Sequence, residues 1–252
     1  MSGFILQLAL AVVPAILAIT LHEAAHGYAA LALGDDTARR AGRLSLNPLA
    51  HVDRVGTILL PGFLLIFQLL TIGRIAFMFG WAKPVPVSAW RFRNPRRGMM
   101  IVAAAGPAMN FLLAWIGAAL LPRPTILMPG AGAYLDAVLS QHPVVGMFLF
   151  YFILSNLVLG LFNLIPIPPL DGGRIAVGLL PVGMARAWAQ VERAGIAVVL
   201  LLVFLLPNML NEFGIRFDPF RQALGTVIPW ALQILLMLSG HDLGVNVHER
   251  FL

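Results

Sequence analysis

The chain has 252 residues, 60% of them hydrophobic and 11% charged, with a mean hydropathy of +0.88. Soluble domains carry about 25% charged residues, so a water-solvated globule is excluded and a membrane protein is indicated. The net charge of +6 does not mark a nucleic-acid partner, because the basic residues concentrate in two loops; the lack of Cys excludes disulfides, thiol catalysis and Cys-type zinc sites.

Apolar runs occupy 4–33, 55–73, 99–121, 144–164, 187–206 and 222–239. A helix crossing the bilayer needs about 20 such residues, so the expected fold is an all-α polytopic membrane protein with about five to six transmembrane helices. The first run lacks a basic leader and continues into the polar segment HEAAH, which reads as an uncleaved span rather than a signal peptide. The run at 55–73 is the weakest, being broken by Pro61 and Gly62.

Loop charge sets the orientation. Arg39, Arg40, Arg43 and Arg54 follow the first run, and Lys83, Arg91, Arg93, Arg96 and Arg97 precede the third. Both loops are therefore expected on the cytoplasmic side of the cell (inner) membrane. The stretch 55–82 then leaves and returns on one side, as a hairpin or re-entrant element. Alternation in GRLSLNP (42–48) and KPVPVS (83–88) suggests short strands, with Pro84 and Pro86 confining the second to an edge. Such an edge could hold an extended peptide. The loop 122–142 contains Arg123 as its one basic residue and is expected outside, which returns 165–174 to the cytoplasmic side.

The chemistry lies in LHEAAHG. His22 and His26, four residues apart on a helix, share one face and can ligate one ion, with Glu23 beside them as general base. Ionisable groups at this depth are expensive and functional by default. A catalytic zinc with two histidines needs a third protein ligand and an open position for water. Asp171, in NLIPIPPLDGGR (163–174), is the leading choice, since three prolines break the preceding helix and two glycines permit a tight turn. Glu192 and Glu212 are the alternatives, on the pattern of a later-helix glutamate ligand. His51 and Asp53 form a second polar pair that could support the ligating histidines, or simply make an interfacial turn after Pro48.

HEAAH, AGPAMN (105–110) and NLIPIPPLDGG (163–173), in that order, resemble the site-2 protease family of intramembrane zinc metalloproteases (peptidase M50). NPLAHVD (47–53) and GWAKPVPV (80–87) are similar to segments of its short members, which lack PDZ and CBS domains. The resemblance implies one membrane-embedded metalloprotease domain over 1–252, its catalytic core at about 1–185. It implies one Zn2+ held by His22, His26 and Asp171, and Glu23 as general base toward a water activated by the metal. Asn163 and Asn110 would bind the oxyanion or the substrate strand, although amides also join transmembrane helices. The implied substrates are transmembrane proteins cleaved in regulated intramembrane proteolysis within the lipid bilayer, and no nucleic-acid partner is expected. The competing function is a transporter or channel passing a divalent metal through the same His/His/Asp set.

Overall fold

The first apolar run folds as one helix, α1 (Ser2–Ala32), whose 31 residues extend about 46 Å at 1.5 Å per residue. The computed structural model describes residues 2–73, 80–125, 129–190, 195–201, 206–214 and 218–244. After α1 come a single turn, α2 (Thr37–Arg40), a 3₁₀ turn (Pro48–His51) and a π turn (Arg54–Leu59) that runs into α3 (Leu60–Ile72). A 3₁₀ turn at Ala89–Arg91 leads to α4 (Pro95–Ala119), followed by α5 (Ala131–Gln141) and α6 (Pro143–Asn163). The remaining helices are α7 (Asp171–Leu179), α8 (Val182–Gln190), α9 (Gly195–Leu200), α10 (Leu206–Glu212) and α11 (Pro219–Leu238).

Among the described residues, four helices are long and apolar enough to cross a membrane: Ile5–Ala32, Arg54–Thr71, Pro95–Ala119 and Pro143–Asn163. Side chains such as Ile5, Leu8, Phe63 and Leu70 point outward, as expected where the solvent is lipid. The run at 187–206 lies partly outside the described residues, and that at 222–239 forms a shorter apolar helix.

Helix α4 sits at the centre, packed on α1, α6 and α7. Asn94 caps it by accepting from Arg97 N–H, and Pro95 fills its first turn, where no intrahelical donor is needed. On one side Ala114, Ala118, Leu135, Val138, Ile153, Leu157 and Leu236 close a core between α4, α5, α6 and α11. There the buried His241 donates from Nε2 to Ala118 O at 2.7 Å, which leaves Nδ1 to accept from Tyr134 Oη at 2.5 Å. Burial pushes the Tyr134 phenol up, keeping it a donor. The other side of α4 faces the histidines of α1.

The strands expected at 42–48 and 83–88 are not formed; no strand occurs among the described residues. Residues 81–88 have no regular secondary structure, and their N–H groups go elsewhere. Trp81 N–H donates to Gly56 O (3.1 Å) and Lys83 N–H to His51 O (2.8 Å). Val85 N–H donates to Glu23 Oε2 (3.2 Å) and Ser88 N–H to Asp35 Oδ2 (2.6 Å). Pro84 and Pro86 have no N–H to give. The segment is a strap laid across the end of α1 rather than a ladder. The Trp81–Gly56 bond also joins the two ends of the excursion between them, of which 74–79 lie outside the described residues.

Candidate metal centre

The i, i+4 spacing sets the His22 and His26 rings edge to face, with centroids 4.6 Å apart. Each ring is oriented from behind by α4. His26 Nδ1 lies 2.7 Å from Val102 O, and His22 Nδ1 lies 2.6 Å from Asn110 Oδ1. Both partners are acceptors, so both Nδ1 atoms carry the proton and both Nε2 atoms present lone pairs. Those Nε2 atoms are 3.0 Å apart.

Asp171 completes the group. The loop after α6 folds back through Ile167 N–H to Ile165 O (2.7 Å) and Leu170 N–H to Ile167 O (3.0 Å), then starts α7 with Asp171 as its first residue. A Cβ on Gly172 would stand 2.3 Å from Leu164 O, so this return is open only to a residue without a side chain. Asp171 Oδ2 thereby lies 3.1 Å from His22 Nε2 and 3.3 Å from His26 Nε2. It is buried and has no hydrogen-bond donor.

Three potential ligand atoms converge at 3.0–3.3 Å. Ligands about 2.0–2.2 Å from a tetrahedral zinc stand about 3.3–3.6 Å from one another. The triangle is close to one face of such a tetrahedron. An orphaned carboxylate oxygen and two aligned imidazoles fit a bound cation, and a ligand set of nitrogen and oxygen suits zinc. Glu23 offers a carboxylate oxygen within 4.8 Å of the ligand atoms of His22 and His26.

The other residues expected at the site are placed as follows. Asn110, fully buried, stands behind His22 rather than beside the ligand triangle. Asn163 donates to Leu159 O within α6. His51 is buried with Nε2 on Ser45 O (2.8 Å). Asp53 caps the π turn, Oδ1 accepting from Val55 and Gly56 N–H (3.0 and 2.7 Å). Neither His51 nor Asp53 holds the His22 or His26 ring from behind; Asn110 and Val102 O do. Glu192 and the side chain of Glu212 lie outside the described residues.

Two further residues belong to the site's surroundings. Asn156 of α6, fully buried, accepts from Asn110 Nδ2 at 2.8 Å. Its signal in the sequence is an amide in the middle of an apolar run. Asp35, fully buried at the end of α1, accepts from Thr37 N–H, Thr37 Oγ1 and Ser88 N–H, with Arg91 Nε at 3.7 Å. Burial pushes the Asp35 carboxyl up, but the Ser88 and Thr37 donors and the Arg91 charge outweigh it and hold the group below the ordinary aspartate range.

Helices of this length around a buried His/His/carboxylate cluster define a membrane protein with a candidate metal centre. The M50 peptidase family profile matches residues 132–206, the stretch containing Asn163 and Asp171. The chain is 42% identical over 196 residues to the candidate zinc metalloprotease YwhC of Bacillus subtilis, covering 78% of this chain and 80% of that one. It is 31% identical over 198 residues to the candidate zinc metalloprotease Rip2 of Mycobacterium tuberculosis, covering 79% and 67%. A zinc metalloprotease of Methanocaldococcus jannaschii, MJ0392, is 28% identical over 128 residues, or 51% of this chain and 33% of its own. No solved structure matches the chain. The chain belongs to peptidase family M50, with zinc as its cofactor and the lipid bilayer as its medium.

Proposed function

We propose that this chain is an intramembrane endopeptidase that hydrolyses peptide bonds in or near transmembrane segments of other proteins, in regulated intramembrane proteolysis. The single observation carrying the reading is the 3.0–3.3 Å triangle of His22 Nε2, His26 Nε2 and Asp171 Oδ2. The three residues would hold zinc.

Zinc, when bound, acts as a Lewis acid on the scissile carbonyl and lowers the pKa of a neighbouring water toward about 7. Glu23 is the general base: it takes the proton of the attacking water and passes it to the departing amine. Val85 N–H, bonded to Glu23 Oε2, holds that carboxylate in place. Asn110 Oδ1 and Val102 O accept from the Nδ1–H groups of His22 and His26, which turns both Nε2 atoms toward the metal position. Asn163, at the end of α6 that leads into the Asp171 loop, is the amide we assign to the substrate strand or to the oxyanion. Asn110 is a positioning residue for His22. His51 and Asp53 serve by holding the 45–57 turn on which the strap rests. The substrate must arrive locally unwound, since a helical carbonyl is already hydrogen-bonded. The arginine-rich loops support a site opening toward the cytoplasmic face of the cell membrane.

The test pairs metal content with cleavage. The purified protein should hold one zinc per chain and cut members of a co-expressed panel of single-span proteins. Glu23→Gln should keep the zinc and abolish cleavage. Zinc-dependent ion flux that survives Glu23→Gln, without cleavage of any panel member, would instead support a metal conduit.

A further inference from the structure

We infer that Asn156 is a positioning residue for the metal centre, acting two hydrogen bonds away from the ligand His22. This rests on the reading of His22 as a zinc ligand. The amide chain begins at a backbone carbonyl, Phe152 O, which can only accept. Asn156 Nδ2 donates to it at 2.8 Å, and this turns Asn156 Oδ1 outward. Asn110 Nδ2 donates to that oxygen at 2.8 Å and, more weakly, to Ala18 O at 3.3 Å. Asn110 Oδ1 is thereby presented to His22 Nδ1 at 2.6 Å. The ring then carries its proton on Nδ1 and its lone pair on Nε2.

An amide has two faces, and the wrong one is costly here. A flipped Asn110 would offer N–H to Nδ1, push the ring proton onto Nε2 and aim it at Asp171. Asn110 and Asn156 are both fully buried, so no water corrects the error. Asn156 makes the correct face the lower-energy one. A carboxylate at position 110 would need no such help, because both its oxygens accept.

The experiment measures zinc affinity by chelator competition on the full chain in detergent, with the His22 tautomer read by nitrogen-15 NMR. Asn156→Leu should weaken zinc binding about 10- to 100-fold and populate the Nε2–H tautomer of His22 in chelator-treated protein. In the Asn110→Asp background the same change should alter affinity by less than about threefold, since the coupling partner no longer has a wrong face. If the Leu side chain prevents folding, Asn156→Ala carries the same expectations. Unchanged affinity in the single variant, or an equal loss in both backgrounds, would overturn the proposal and make Asn156 a packing residue. Zinc binding in His22→Ala, measured alongside, tests the ligand reading separately.

Discussion

A Cβ placed on Gly106 would stand 2.5 Å from His26 Nε2 and 2.5 Å from His22 Cε1. Helix α4 therefore reaches the His22 and His26 rings only because position 106 has no side chain. Contacts that short force something to move, and the neighbours are rings already fixed by Val102 O and Asn110. Gly106→Ala should fold, since alanine favours a helix over glycine, yet displace the two rings by about 1 Å, a misplacement that costs about 100-fold in turnover. Zinc content and cleavage rate, set beside unchanged helical circular dichroism, check this.

Asp171 is expected to matter by its charge as well as its reach. Asp171→Asn preserves the shape of the side chain but replaces the anionic Oδ2 with an amide that suits a dipositive ion poorly. It should lose zinc about as fully as Asp171→Ala. Chelation should reproduce the loss in the parent chain, and added zinc should reverse it in the parent alone. Retention of stoichiometric zinc in Asp171→Ala would remove Asp171 from the ligand set.

That His22, His26, Glu23 and Asp171 come together was legible because a metal site would impose both spacing and residue type. Four residues on a helix give one face, and a buried carboxylate after a broken span has few other uses. The helical class followed from the hydropathy runs alone. Asn110 was visible as a polar residue at depth, but its partner was not. Which residue it touches depends on how α4 rotates against α1 and α6, a property of packing that no single-helix pattern contains. Asn156 was hidden for the same reason. The strap misled through its alternation: KPVPVS has the pattern of a strand, yet its donors meet two carboxylates, Glu23 and Asp35, that are distant in sequence.

Orientation yields to simple labelling because the chain contains no Cys. Arg39 and Arg93 are exposed in the basic loops, and Arg123 is exposed between α4 and α5. In otherwise unchanged protein, Arg123→Cys should react with a membrane-impermeant maleimide on intact cells. Arg39→Cys and Arg93→Cys should react only after permeabilisation. Labelling of Arg93→Cys from outside would place the strap, and with it Glu23, on the opposite face.

Asp35 ties the strap to α1 and should set part of the acid stability. Its folded carboxyl is held below the ordinary value, so it binds protons less readily folded than unfolded. The stabilisation is therefore complete above the unfolded value of about 4 and disappears as pH falls through the lower folded value. Asp35→Ala removes the acceptor for Ser88 and Thr37 and should cost about 1.5–3 kcal/mol at neutral pH, the range for hydrogen bonds to charged groups. It should also slow cleavage, because Ser88 and Val85 belong to one strap and Val85 steadies Glu23. Asp35→Asn keeps the shape and loses the titration. Its thermal midpoint should start lower at neutral pH and fall less than the parent's on acidification below about pH 4. Parallel curves for the two proteins over that range would show that Asp35 contributes nothing to the acid limb.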